Sequence, residues 1–283
     1  MKLEGNSVGV KVLLVCPVPV EFLACRTTLF MQDIPLIAGC RSARVGIGVA
    51  ELTALGTGAG HARAAAAVAA ACCRCPADAV GPDCVRPDCV RPDCVRPDLV
   101  VDTGSCAGLG PGAGIGQVVL GTASCEYELR SQGGRGVSVE VLPTLKRPSA
   151  LECLGAAARR GLKDEALEIG RRAGVIVRAG AQACAEVLVN SSELRRSLHR
   201  TLGAFGANWE SSGVFAAASE GGVSALSLRV ITDLGDSRAL HDFRRHVKTG
   251  ARRLYGYLGL LAETGWFGRF EEAWASRPGA AGG

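Results

Sequence analysis

Aromatic side chains make up only 5% of this chain, against 38 glycines and abundant alanine. That scarcity argues against a core built on aromatic clusters. It predicts Val, Leu and Ala packed in close layers, which favours an α/β architecture. Long apolar runs are missing as well. The longest, residues 64–73, is too short to cross a bilayer, and the opening MKLEGNSVGV has no apolar stretch of the kind a secretory signal needs. A cytoplasmic protein with no membrane partner is the expectation. Nor do aromatics interleave with the basic residues behind the formal net charge of +5. The arginines fall in scattered pairs, Arg159/Arg160, Arg171/Arg172, Arg195/Arg196 and Arg244/Arg245, which read as solvated helix faces and argue against a nucleic-acid partner. With 48% hydrophobic and 21% charged residues among 283, the chain has apolar material for one large core and lies outside disordered compositions.

Cysteine is plentiful, at 13, but the number is odd and no export signal accompanies it, so reduced thiols are expected. Cys16, Cys106, Cys125 and Cys184 sit among apolar or small residues, where cysteine acts as a small hydrophobe. Cys84, Cys89 and Cys94 open three copies of CVRPD. A structural zinc site pairs two ligands in one tight knuckle and repeats that pair farther along. An evenly spaced ladder with Pro and Asp in every rung matches poorly, because Pro disfavours helix and sheet alike. Residues 84–98 are therefore expected to be an inert loop with no metal, and no cofactor is called for.

The remaining sequence alternates strand-like and helix-like segments. Residues 8–15, VGVKVLLV, form a continuous apolar run of strand length, as in a parallel strand covered on both faces. A helical pattern follows over residues 21–30, which puts Glu21 just past the strand's carboxyl end, where open α/β sheets place ligands. Residues 44–55 read as a second β region. The run GTGAG at residues 56–60 then leads into an Ala-rich helix over 61–72, and it reads either as a tight turn or as an anion or ribose cradle. LVVDT at residues 99–103 is a third strand, and the loop after it, GSCAGLGPGAGIG, holds five further glycines after Gly104 and is a pocket candidate. A strand over 117–123 precedes an irregular polar stretch over 126–147. Helices are expected over 150–160, 164–172, 191–202, 209–220 and 239–262, with strands at 175–177 and 225–231. This pattern gives a single three-layer α/β/α domain over residues 1–265, with a mixed central sheet. Residues 266–283 are expected to be a tail.

Three acids stand beside strand ends or glycine turns: Glu21, Glu210 in GANWESSG, and Asp233 in LSLRVITDLGD. With them in view, VKVLLVCPVPVEFL, GTGAGHARAAAA, RPDLVVDTGSCAGLGPGAGIGQVVLGTA, NWESSGV and LSLRVITDLGD resemble, in order, segments of the nucleoside phosphorylase/hydrolase superfamily. Within it the chain is most similar to the 5′-methylthioadenosine/S-adenosylhomocysteine nucleosidases. The resemblance implies a nucleoside phosphorylase-like fold that cleaves the N-glycosidic bond of a purine nucleoside, and a dimer or larger homo-oligomer. It implies Asp233 as the acid on purine N7 and Glu210 as the ribose-binding acid. It also implies Glu21 as the group that positions and deprotonates the attacking water, with Ser105, Gly104 and Cys106 lining the same side. Trp209 stands next to Glu210 as a further substrate contact.

Asn208 and Trp209 replace the Glu and Met usual before the ribose-binding acid in that family. The segment GAQACAE offers no aromatic for the base, which leaves Phe215 or Phe243 as substitutes. Phosphorylases of the superfamily bind phosphate through arginines, one shortly before the glycine turn. Here Asp102 stands in that stretch, and a like charge beside phosphate favours hydrolysis over phosphorolysis. A non-catalytic nucleoside-binding protein is the alternative from another class.

Overall fold

The computed structural model describes residues 9–72, 96–132 and 138–277. The CVRPD repeats lie outside these apart from the end of the last copy. In chain order the elements are β1 (Val10–Cys16), α1 (Pro19–Thr28), β2 (Gln32–Ile37), β3 (Cys40–Ile47), β4 (Ala50–Gly56) and α2 (His61–Cys72). Then come β5 (Leu99–Gly108), β6 (Val118–Gln132), β7 (Ser138–Pro148), α3 (Ala156–Arg172), β8 (Val177–Cys184) and α4 (Ser192–Leu202). The last are β9 (Ala204–Asn208), α5 (Ser211–Glu220), β10 (Ser224–Asp233), α6 (Ala239–Glu263) and α7 (Trp266–Ala275).

The ten strands among the described residues all join one mixed sheet. β1 lies between β4 and β5, parallel to both, and β5 is parallel to β10 along the whole of its length. Beyond β10 the order runs to β6 and β8, then to β9, which pairs back onto the end of β5. Strands β5, β10, β6, β8 and β9 thus close a ring, and β1, β4, β3 and β2 extend from it as an open wing.

Strand periodicity sends alternate side chains of β1 to opposite faces. Val12 and Leu14 join a core with α1, α3, α6 and α7, while Leu13 and Val15 join a second core with α2 and α5. This is the expected three-layer α/β/α arrangement, and it explains why β1 is apolar throughout. On the second face a glycine sets the spacing of two helices. A Cβ on Gly213 of α5 would lie 2.2 Å from the backbone oxygen of His61, so glycine lets α5 approach the first residue of α2. That contact places residue 210 beside the glycine turn.

Beyond the unexpected strands β2 and β9 and the division of residues 44–55 between β3 and β4, the structure differs from the sequence expectations at three places. Residues 126–147 are not irregular: β6 and β7 form an antiparallel pair, with Tyr127 buried between Glu126 and Glu128. Residues 266–275 are not tail: α7 inserts fully buried Trp266, Phe267 and Phe270 into the core. Those rings pack on one another, Trp266 against Phe267 at 5.4 Å and against Phe270 at 5.8 Å, so the few aromatics do cluster. Their combined apolar area outweighs the charges around them. Third, the strand read at residues 99–103 continues to Gly108 through the first glycines of the presumed loop. The eight cysteines among the described residues are free thiols, with Cys16, Cys106, Cys125 and Cys184 buried. Among the described residues, no helix is long and apolar enough to cross a membrane.

Candidate active site

A cavity of about 310 Å³ opens where β1, β5, β9 and β10 end. Glu21, Ser105, Cys106, Trp209, Glu210 and Asp233 all line it, while Gly104 lies behind Glu21. Residues distant in sequence are thus brought to one place.

Glu21 sits in the first turn of α1, behind Pro19 at the helix start, where the missing N–H of proline costs nothing. Its Oε2 accepts from the Val18 N–H at 3.0 Å, closing the helix end. Its Oε1 accepts from both the N–H and the hydroxyl of Ser105, at 2.8 and 2.7 Å. This carboxylate therefore both closes the start of α1 and lines the cavity. Burial pushes its pKa up, and the Ser105 hydroxyl and nearby Arg229 pull it partly back. Gly104 makes the approach possible: its φ is +126°, and a Cβ there would lie 2.9 Å from Glu21 Oε2.

Glu210 precedes α5, whose first N–H groups are capped by Asn208 Oδ1, which accepts from Glu210 N at 3.0 Å and Ser211 N at 2.9 Å. Asn208 is in this sense a helix cap. Glu210 Oε1 accepts from the Gly60 N–H at 3.1 Å, and Oε2 pairs with Arg229 Nη1 at 3.0 Å. The GTGAG turn does cradle an anion at a helix start, but that anion is the protein's own carboxylate.

Asp233 ends β10, a strand with every residue buried. Its Oδ1 accepts from Gly235 N at 3.0 Å and its Oδ2 from the Thr232 hydroxyl at 3.2 Å. Because α6 begins only at Ala239, Asp233 is not that helix's cap. Burial raises its pKa to about 6, so about a tenth of it is protonated at pH 7, far more than of an ordinary aspartate. Cys106 is different: burial pushes its thiol far above the neutral range, which leaves it a wall and not a nucleophile.

Arg229, inside the LSLRVITDLGD motif, is a residue of the site that the sequence expectations did not include. It is 1% exposed and donates through Nε to Asp102 Oδ2 at 2.9 Å, through Nη2 to Asp102 Oδ1, and through Nη1 to the Ser105 carbonyl at 2.9 Å. The signal for it was a lone arginine inside an apolar strand, since a buried charge must be paired. The pairing also corrects the argument from Asp102. That carboxylate is fully buried, does not line the cavity and is neutralised by Arg229, so it does not repel a ligand directly.

The remaining wall is apolar, with Val187, Leu188, Val189, Leu240 and Phe243. Trp209 is 39% exposed at the rim, and its indole N–H donates to the Val187 carbonyl at 3.0 Å. Of the two substitute aromatics, Phe243 lines the cavity, whereas Phe215 is buried between α5 and α2. Among the described residues no cluster of His, Cys, Asp and Glu is grouped to hold a metal ion.

A mixed sheet covered on both faces, with buried carboxylates at its strand ends, defines a class of α/β ligand-site protein. The family model described as the phosphorylase superfamily matches residues 11–259, and the chain belongs to that family. Comparison with curated proteins gives no match. Solved structures with the same fold include the futalosine hydrolase of Helicobacter pylori strain 26695, at TM-score 0.67 and 14% identity over 92% of this chain and 100% of that one. The 5′-methylthioadenosine/S-adenosylhomocysteine nucleosidase of Neisseria meningitidis aligns at TM-score 0.66 and 17% identity, over 90% of this chain and 99% of that one. The S-adenosylhomocysteine nucleosidase of Streptococcus pyogenes aligns at TM-score 0.69 and 14% identity, over 92% and 99%.

Proposed function

We propose that this chain hydrolyses the N-glycosidic bond of a purine nucleoside of the 5′-methylthioadenosine/S-adenosylhomocysteine kind, releasing free base and sugar. The observation that carries the reading is the meeting of three carboxylates in different electrostatic settings on one cavity. Asp233, with a pKa near 6, can present a proton to the purine N7 as the C1′–N9 electrons move onto the base. Glu21, its pKa raised by burial, is a stronger base than an exposed glutamate and takes a proton from the attacking water, whose oxygen bonds to C1′. Ser105 holds that base in place.

Glu210 is the sugar-binding group in this reading. Oε1 accepts one hydrogen bond and Oε2 makes one ion pair, and each keeps capacity to accept from a ribose hydroxyl. Its negative charge also stabilises the cationic sugar of the transition state. Cys106 and the rim residue Trp209 contact the substrate, and Val187, Val189, Leu240 and Phe243 give the base and an apolar 5′ group a dry surface. The names of the solved relatives, nucleosidases and a futalosine hydrolase, agree with this substrate class.

The test is product analysis on a panel containing 5′-methylthioadenosine, S-adenosylhomocysteine, futalosine, adenosine and inosine, with and without phosphate. Free base and free sugar at a phosphate-independent rate are expected. Sugar 1-phosphate as the main product would move the chain to the phosphorylases, and no base release from any member would remove the enzymatic reading.

A further inference from the structure

Gln182 of β8, in the segment GAQACAE, is fully buried between β6 and β9. Its partner in register on β9 is Gly206, where a Cβ would collide with Gln182 Oε1, so the missing side chain leaves room for the amide to reach along β9 to Asn208. There Asn208 Nδ2 donates to Gln182 Oε1 at 3.3 Å. The direction of that bond follows from what Asn208 does with its other atom. Asn208 Oδ1 is committed to the N–H groups of Glu210 and Ser211, so its NH2 is directed elsewhere, and a buried NH2 needs an acceptor. Gln182 Nε2 finds no acceptor among the described residues. This glutamine therefore serves the site through its oxygen.

We infer that Gln182 is a positioning residue for the sugar: by fixing Asn208 it holds Glu210 where its carboxylate receives the ribose hydroxyls, and so it sets the preference for ribose over a deoxysugar. The inference rests on the N-glycosidic reading above. Asn208 and Glu210 line the cavity, whereas Gln182 does not and touches no substrate itself. Its effect passes through the start of α5. One oxygen of Asn208 holds both Glu210 and Ser211, Ser211 donates to Asp102 Oδ2 at 2.6 Å, and Arg229 joins Asp102 to Glu210 Oε2. Glu210 is thus fixed at its backbone from β8 and β9 and at its carboxylate from β10. Release of the cap shifts the backbone beneath a carboxylate that stays tied to Gly60 and Arg229, which turns its oxygens away from the hydroxyls.

Gln182→Leu keeps the bulk of the side chain and removes the acceptor. The quantity to measure is kcat/KM for the best nucleoside of the panel divided by that for its 2′-deoxy counterpart, compared with the parent so that the intrinsic reactivity of the two sugars cancels. This ratio should fall about tenfold, the effect of losing one hydrogen bond to a charged group. A merely structural loss lowers both sugars alike. Gly206→Ala, which displaces the amide without altering it, is the second variant and should lower the ratio in the same way. Asn208→Ser caps α5 through its hydroxyl and carries no NH2 to satisfy. Adding Q182L to N208S should therefore leave the ratio where N208S alone puts it. A folded Q182L with the parental ratio, an equal fall for both sugars, or a further fall on adding Q182L to N208S would overturn the inference while leaving hydrolysis standing. A parent that releases no base from any nucleoside would defeat the hydrolase reading, and this inference with it.

Discussion

The hydroxyl and the backbone N–H of Ser105 converge on a single oxygen of Glu21, at 2.7 and 2.8 Å. A hydrogen bond to a charged group contributes about 1.5–3 kcal/mol, and this one favours the ionised carboxylate. Ser105→Ala should raise the Glu21 pKa further, since burial then acts with less opposition. The acidic limb of the kcat/KM profile should move to higher pH, with about a tenfold loss of activity at pH 6. An unmoved limb in an otherwise active variant would separate Glu21 from the base role.

Gly104 is where backbone and chemistry constrain each other. Its φ of +126° disfavours any side chain, and a Cβ would press on Glu21 from 2.9 Å. Gly104→Ala should cost about 1–3 kcal/mol of stability and displace the carboxylate. Urea denaturation and turnover should therefore fall together. A variant of parental stability and activity would mean that the close approach has no consequence.

Asp233 makes a pH prediction with a definite sign. Its folded pKa of about 6 lies above the ordinary 3.8, so the folded state holds the proton more tightly than the unfolded chain does. This contribution to stability is fully present below about pH 4 and is lost as pH rises through about 6. The loss amounts to about 3 kcal/mol at most. Asp233→Asn abolishes it, so the variant should gain stability relative to the parent between pH 4 and pH 7.5, measured by urea denaturation at both. An identical difference at the two pH values would show that the carboxyl is not desolvated in this way.

Trp209 is a rim residue that ties down the strand-to-helix segment at Val187 through its indole N–H. Trp209→Ala should raise KM about tenfold while kcat changes little, because uniform binding is lost and the acids are untouched. A fall in kcat with constant KM would place Trp209 closer to the reacting atoms.

The carboxylates that line the cavity could be picked out in the sequence, because Glu21, Glu210 and Asp233 stand beside strand ends or glycine turns, while the roles proposed for them came from the family resemblance. The three-layer fold was legible for the same reason, in the doubly apolar β1 and the alternation that follows. The Asp102–Arg229 pair was not, since its members are 127 positions apart and only the β5–β10 pairing joins them. The β6–β7 pair was visible in principle in the alternation Glu126, Tyr127, Glu128, Leu129, Arg130, which the surrounding polar residues obscured. Helix α7 was missed because WFGRFEEAW carries its three buried rings among charges, and an overall scarcity of aromatics says nothing about where they concentrate.

The most direct measurement of the central claim is base release from the best nucleoside of the panel by parent and Asp233→Asn, read beside the melting temperature of each at pH 6.5. Free purine is expected from the parent in phosphate-free buffer. The variant should melt no lower and turn over about 10²–10⁴-fold more slowly, the usual range for loss of a general acid. A well-folded variant with near-parental base release would contradict it.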